Sequence, residues 1–136
     1  MDDGEFLVEG RMENLPAILE FIAASLRKHH VDDIKAYEIR LATDEIVTNI
    51  ITHAYKTMNG KIHVNCLREG DCIVVTVVDE GAPFDPTTIP PPDLSTDLEH
   101  RKIGGLGIYF AKKVMDSVTY KREEGLNVLT MAKKIK

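Results

Sequence analysis

Apolar residues recur with the 3.6-residue period of an amphipathic helix in three stretches of the chain. The first follows Asn14, a typical helix cap, and extends to about His29. The second begins at Asp32 and Asp33, acidic as a first helical turn favours, and extends to about residue 56. The third follows a glycine-rich turn and extends to residue 116. We therefore predict three helices.

Five shorter runs have the composition or the two-residue period of β-strands. They span residues 5–10, 61–67, 73–78, 117–122 and 127–134. The run at 73–78, IVVTVV, is the most apolar and rich in β-branched residues, which predicts a strand buried on both faces in the middle of a sheet. The pair Glu124-Gly125 predicts the turn of a closing hairpin.

Candidate chemistry begins where the apolar run ends, at Asp79-Glu80-Gly81. A carboxylate at the end of a buried strand can accept a hydrogen bond from a bound group, and a glycine leaves space for a flat ring against the backbone. Taken alone, the same residues are more typical of a strand that simply ends in a turn.

The second predicted helix carries Glu45 and Asn49 one turn apart, at the edge of its apolar face. A solvated helix face does not usually place its polar groups there. The position of either residue alone is explained if it simply flanks the apolar stripe. The two together are the feature that suggests a functional site.

Residues 83–103 lose all periodicity and hold five of the six prolines, which favours a lid over a linker. The segment ends at Gly104, Gly105 and Gly107, at the start of the third helix. Backbone N–H groups at such a helix start can converge on an anion. The turn lacks the Lys-Ser/Thr of a P-loop and follows no strand, so by itself it is weak evidence.

Composition sets the class of protein. A chain of 136 residues, 43% apolar and 29% charged, is expected to form one soluble domain over residues 1–136. Its net charge of −5 and the absence of a basic stripe exclude nucleic acid as an expected partner. The acidic start and the lack of a long apolar run predict a cytoplasmic protein without membrane contact.

Cys66 and Cys72 should point to opposite faces of the sheet, so we expect neither a disulfide nor a metal site.

Taken together, three segments resemble the GHKL ATP-binding superfamily, and most closely its branch of anti-sigma-factor serine/threonine kinases. They are DEIVTNIITHAY at 44–55, DEGAPFDP at 79–86 and GGLGIYFAKKVMD at 104–116, in matching order and spacing over essentially the whole chain. The resemblance implies an α+β fold: a two-layer α/β sandwich in which a mixed, mostly antiparallel sheet is covered on one face by about three helices. Residues 83–103 would form the ATP lid.

The resemblance also implies roles for individual residues. Glu45 matches the general base, and Asn49 matches the ligand of the Mg²⁺ that bridges the ATP phosphates. Asp79 matches the acceptor of the adenine amino group, with Gly81 giving the ring room. The remaining expected ligand-binding residues are Gly105, Leu106 and Gly107 at the phosphates, Thr130 as a support for Asp79, and Arg101 or Lys102 at the γ-phosphate.

The function implied is phosphorylation of a STAS-domain anti-anti-sigma protein by a homodimer that also sequesters a sigma factor, with ATP and Mg²⁺ as cofactors. A non-catalytic ATP-binding regulator, an ATPase acting alone and a plain structural module remain alternatives. A histidine kinase catalytic domain shares these motifs but is normally attached to a dimerisation helix, for which this chain has no room. His53 and Tyr55 belong to the same motif, and we expect both to serve packing.

Overall fold

The computed structural model describes residues 4–55, 59–88 and 105–136, the first three residues of the last range by backbone alone. Within these ranges the chain forms five strands and three α-helices. They are β1 (Glu5–Glu9), α1 (Leu15–Lys28), α2 (Asp33–Asn49), β2 (Lys61–Glu69), β3 (Cys72–Asp79), α3 (Gly105–Val114), β4 (Ser117–Glu123) and β5 (Leu126–Lys134).

The strands form one sheet in the order β1-β2-β3-β5-β4, and each of the four pairings is antiparallel. The apolar run therefore lies in the central strand, as predicted. Asp79 is the last residue of that strand, and it lies opposite Ile62 on one side and Asn127 on the other. This register brings the start of β2, the end of β3 and the start of β5 together at one end of the sheet.

One face of the sheet packs against the helices to form the core. Alternate residues of the three inner strands are buried there, among them Val64, Val75 and Met131, each 0% exposed. The apolar faces of α1 and α2 complete this layer with Ile22 and Ile39, also 0% exposed. The predicted two-layer α+β fold, with helices over one face of the sheet, is confirmed.

The other face of the sheet carries no helix in the described part of the chain. The predicted burial of the central strand on both faces is wrong, because Val74, Thr76 and Val78 are only half-buried. Their β-branched side chains fit a pleated sheet whether or not a second layer covers it. Leu7 and Leu67 on this face are 57% and 44% exposed.

The second helix departs from its predicted course after Asn49. Asp32 caps its start, accepting a hydrogen bond from the Lys35 N–H at 2.9 Å. Beyond Asn49 the helix widens into a π-helical turn over Ile50–Ala54, in which the Tyr55 N–H reaches the Ile50 carbonyl at 2.9 Å. The predicted single α-helix to residue 56 is therefore wrong. Such π-helical turns often occur at functional sites.

Two predicted local details also differ. Asn14 occupies the cap position of α1, but its side chain donates to the Glu9 carbonyl at 2.9 Å and caps no helical N–H group. The strands β2 and β3 extend beyond their predicted bounds at 67 and 73, so that Glu69 pairs directly with Cys72 across a tight turn. The parity of the register is unchanged, so Cys66 is buried on the helix side while Cys72 lies on the opposite face, and both are free thiols.

The β4–β5 turn forms as predicted. Glu124 and Gly125 both adopt positive φ, at 50° and 81°, which suits the twist of a two-residue hairpin. Among the described helices, none is long and apolar enough to cross a membrane. The predicted lid falls mostly outside the described residues, and so do Arg101 and Lys102. The lid therefore stays a prediction.

Candidate functional site

A cavity lies between α2 with its π-helical turn, the end of β3 and the β4–β5 hairpin. Its empty space measures about 350 Å³, counting the part open to solvent. Most of the lining is apolar, and Asn49, Asp79 and Asn127 add polar groups. Such a lining suits a ligand with a flat apolar body and polar edges. The lining residues are Ile46, Asn49, Ile50, Ala54, Asp79, Phe84, Pro86, Ile108, Tyr120, Asn127 and Leu129.

Asp79 is the most buried acidic side chain at this cavity, with 4% of its surface exposed. Its Oδ1 accepts two hydrogen bonds at 2.9 Å, from the Gly81 N–H and from Asn127 Nδ2. Within the described part of the chain, Oδ2 accepts none. Asp79 therefore presents one oxygen to the cavity while the other is held by the protein.

The predicted support of Asp79 by Thr130 is wrong. Thr130 pairs with Thr76 in the register of β3 and β5, and both side chains lie on the helix-free face. Because side chains alternate along a strand, a residue three positions after Asn127 must point away from the cavity. Asn127 takes the expected role. Its position directly opposite Asp79 could be found from the sequence only once the strand register was known.

The Asn127 amide is fixed from its other side as well. Its Oδ1 accepts from the Tyr120 hydroxyl at 2.5 Å and from Arg122 Nη1 at 3.2 Å. Arg122 Nη1 also donates to the Gly81 carbonyl at 2.7 Å. The β4–β5 hairpin thus holds the segment that follows the central strand.

Gly81 is required by packing rather than by room for a ligand. A Cβ at this position would lie 2.7 Å from the Ala54 Cβ and 3.2 Å from the Ala54 carbonyl oxygen. The space that the sequence assigned to a bound ring is therefore occupied by the π-helical turn. Gly81 contributes to the site through its N–H group, which holds Asp79.

Asn49 lies in the wall of the cavity with only 7% of its surface exposed. Its Nδ2 is buried without a hydrogen-bond partner in the described structure. An unsatisfied buried amide costs about 1–3 kcal/mol, which a bound polar ligand would offset. An amide oxygen is a hard ligand of the kind Mg²⁺ accepts, and Mg²⁺ at such sites takes its other ligands from phosphates and water. The residue therefore fits the Mg²⁺-nucleotide that the sequence implies.

Glu45 lies one helical turn before Asn49 and is partly buried. It makes no hydrogen bond or ion pair with any residue that the structure describes. Burial raises the pKa of its carboxyl above the ordinary value, and the neighbouring charge of Asp44 adds to the shift. By contrast, Glu38 in the same stripe has a structural partner, Lys133 Nζ at 3.5 Å. Glu45 is therefore free to act on a bound molecule.

Two glycines of the third motif lie at the start of α3, as predicted, while Gly104 lies outside the described residues. Gly105, Leu106 and Gly107 are its first three residues. The first N–H groups of a helix have no partner within it. The structure brings this helix against α2, where Ile108 reaches the cavity wall.

Tyr55 connects the two sides of the site at the end of the π-helical turn. Its hydroxyl donates to the Lys61 carbonyl at 2.6 Å and accepts from the Glu80 N–H at 2.8 Å. Its ring fills the space between Gly10 and Gly60, where a Cβ on either glycine would lie 2.4 Å from a ring atom. Burial is the main cause that raises the pKa of Tyr55 to about 12. The residue thus fixes the segment after Asp79 relative to the helix that carries Asn49.

Comparison with known proteins agrees with this geometry. A model of the histidine kinase-like ATPase domain matches residues 8–133. The chain belongs to this family. Curated relatives include two proteins named serine-protein kinase RsbW. The one from Bacillus cereus (strain AH187) is 35% identical over 102 residues, or 72% of this chain, and the one from Listeria monocytogenes is 36% identical over 97 residues, or 68% of it. In both cases the match covers 62% of the relative's own length.

Solved structures share the fold of this family member at low sequence identity. The RsbU and RsbW domains of Rv1364c from Mycobacterium tuberculosis match 96% of this chain and 32% of that chain, with a TM-score of 0.68 and 16% identity. The Acinetobacter baumannii histidine kinase AdeS matches 99% of this chain and 69% of its own, with a TM-score of 0.55 and 10% identity. These structures confirm the expected fold, and the family model over residues 8–133 confirms the superfamily expected from the three motifs.

Replacing Tyr55 by Phe should destabilise this ATPase domain. The substitution keeps the ring and leaves the Glu80 N–H without its partner, so we expect the free energy of unfolding to fall by about 1–3 kcal/mol. Urea denaturation followed by circular dichroism measures the change. Tyr37→Phe is the control, because Tyr37 is 62% exposed. Equal stability of the two variants would show that the hydroxyl contacts contribute nothing.

Proposed function

We propose that this protein binds Mg²⁺ and ATP in the cavity and transfers the γ-phosphoryl group to a serine of a partner protein. One observation carries the proposal: Asn49 and Asp79 line the same cavity. Glu45 lies one turn before Asn49 on α2, outside the lining, and has no partner among the described residues. The names of the RsbW relatives support the choice of serine as acceptor.

Each residue has a task that its position allows. Glu45 accepts the proton of the serine hydroxyl, and its raised pKa makes it a stronger base than an ordinary glutamate. Asn49 holds the metal, and Asp79 accepts the adenine amino group through Oδ2. The N–H groups at Gly105, Leu106 and Gly107 face the phosphates, and Arg101 or Lys102 meets the γ-phosphate. ATP supplies the phosphoryl group, and Mg²⁺ neutralises its charge.

We further propose a STAS-domain anti-anti-sigma protein as the substrate and a sigma factor as the sequestered partner, both in the cytoplasm. The motif order of the chain supports this branch of the superfamily, as does the similarity to serine-protein kinases. The absence of any structural partner for Glu45 among the described residues favours catalysis over a regulator that only binds nucleotide.

The direct test incubates the protein with radiolabelled ATP, Mg²⁺ and a STAS-domain protein encoded near its gene. We expect label on the STAS protein, and we expect Glu45→Gln to reduce the rate by about 10²–10⁴-fold with little change in ATP affinity. Glu69→Gln, at the exposed end of β2, is the matched control. ATP binding without transfer would support the non-catalytic regulator, and hydrolysis without a partner would support an independent ATPase.

The rate of transfer should also depend on pH through Glu45. The base must be deprotonated, so the rate is expected to fall as pH drops through its raised pKa. The acidic limb should therefore lie above the ordinary range of a glutamate. The acidic limb should be absent from the Glu45→Gln variant, whose residual rate of transfer is measured over the same pH series. An identical limb in that variant would assign the titration to another group.

We also propose that two copies pair through the helix-free face of the sheet. Its central row is polar, with Asn65, Thr76 and Thr130 side by side. A row on each side contains apolar residues. One holds Leu7, Val78 and Val128 together with His63 and Lys121, and the other holds Leu67, Val74 and Ala132. A two-fold axis through the polar row would place these rows against their counterparts, as an isologous interface allows. From strand spacing and rise, the face measures roughly 600 Å², near the ~800 Å² per partner of stable complexes.

Light scattering after gel filtration tests this pairing. We expect a mass of twice 15.2 kDa for the unmodified protein. Leu67→Lys should shift the mass to that of the monomer, because it places two charges within the interface. Ile34→Lys, at a position 75% exposed on α2, should not. A monomeric unmodified protein, or a dimeric Leu67→Lys variant, would contradict the proposal.

A further inference from the structure

A stripe of apolar side chains follows the outer side of α2, away from the face that packs in the core. Ile34, Tyr37 and Leu41 are spaced by three and four residues, which places them on one side of a helix. Ile34 is 75% exposed and Tyr37 is 62% exposed, the largest fractions among the large apolar side chains that the structure describes. Glu45 occupies the next position of the same stripe. The outer stripe therefore leads to the carboxyl that we propose as the general base.

A groove lies beside the outer stripe, between α1 and the first half of α2. Its empty space measures about 640 Å³, counting the part open to solvent. Tyr37 lines it together with two small residues, Ala23 of α1 and Ala36 of α2. Small residues on facing helices leave a depression into which the side chains of another helix can pack.

Arginines from both helices border this groove. Arg40 of α2 makes no hydrogen bond or ion pair with any residue in the described ranges. Arg27 of α1 pairs with Glu20 at 3.0 Å, but both side chains are exposed, and such surface pairs contribute little. Asp33 is the one acidic residue among those that line the groove. In a chain with a net charge of −5, this surface is locally positive and complementary to carboxylates.

The outer stripe lies close enough to Glu45 for one partner to cover both. At a rise of about 1.5 Å per residue, Tyr37 lies about 12 Å from Glu45 along the helix axis. A stable complex buries about 800 Å² on each partner, which equals a disc with a radius of about 16 Å. A protein that presents a serine to Glu45 and buries this area around it therefore reaches the outer stripe and the groove.

We propose that the outer stripe of α2 and the adjoining groove form the docking surface for the protein substrate, which lays an acidic amphipathic helix along it. Apolar side chains of that helix pack on Ile34, Tyr37 and Leu41, and its carboxylates bind Arg27 and Arg40. Tyrosine and arginine are also the residue types that most often dominate the binding energy of an interface. This role rests on the proposed kinase function and adds the surface that selects the substrate.

The test measures steady-state transfer of phosphate from ATP to the STAS-domain protein encoded near the gene. Tyr37→Ala and Arg40→Glu should each raise the KM for the STAS protein by about tenfold, the effect of losing one dominant contact. The kcat and the affinity for ATP should stay unchanged, because neither residue lines the cavity. Lys136→Glu is the matched control, since it makes the same charge change at an exposed position after β5.

Titration calorimetry with the STAS protein, ADP and Mg²⁺ measures docking without transfer. Raising the ionic strength should weaken binding to the unmodified protein, because salt screens the contacts between charges. The salt dependence should be smaller in Arg40→Gln and retained in Arg40→Lys, which keeps the charge. A role of Arg40 in folding alone would leave the salt dependence of binding the same in all three proteins.

The outcomes separate the two proposals. If the unmodified protein binds the STAS protein without phosphorylating it, the kinase function fails, and calorimetry with the variants still decides the docking surface. If transfer occurs and both Tyr37→Ala and Arg40→Glu keep the original KM, the docking surface is wrong while the kinase function stands. If there is neither binding nor transfer, both proposals fail. If Tyr37→Ala changes the mass measured by light scattering, the stripe is a contact between two copies of this chain, which contradicts the docking proposal.

Discussion

A carboxylate buried at the end of the central strand is the constraint on which the rest of this site depends. Removing a charged group from water costs free energy unless hydrogen bonds replace the lost solvation. Asp79 is 4% exposed and receives its hydrogen bonds from the loop that follows it and from the neighbouring strand. The chain can bury this group only if β3, β5 and the segment at Gly81 are correctly placed.

The same requirement extends to the helical layer. The segment after Asp79 packs so closely on Ala54 that only glycine fits at position 81. Ala54 is placed there by the π-helical turn that follows Asn49, and Tyr55 bonds that turn to Glu80. Helix and strand therefore approach each other at a fixed separation, which sets the width of the cavity between Asn49 and Asp79.

Much of this arrangement could be predicted from the sequence, because it follows from local patterns. Periodicity placed all five strands and three helices, and the motif order identified the superfamily. Glu45, Asn49 and Asp79 were found because their polar side chains interrupt apolar patterns. Whether they bind ATP and Mg²⁺ stays a prediction.

What the sequence did not provide was information about register and close packing. Thr130 was assigned to the site, yet the pairing of Asp79 with Asn127 turns Thr130 to the other face. The widening of α2 after Asn49 leaves no trace in the apolar spacing, so the contact between Gly81 and Ala54 could not be foreseen. The β-branched composition of β3 suggested two buried faces. It was misleading, because such residues suit any pleated sheet, including one with a half-buried face.

The central claim is that a nucleotide lies between Asn49 and Asp79. A crystal structure of the protein with Mg²⁺ and a non-hydrolysable ATP analogue tests it most directly. We predict the adenine amino group at about 3 Å from Asp79 Oδ2, with Oδ1 still bonded to Asn127, and the metal on Asn49 Oδ1. An analogue bound elsewhere, or an adenine whose amino group contacts neither oxygen of Asp79, would contradict the account.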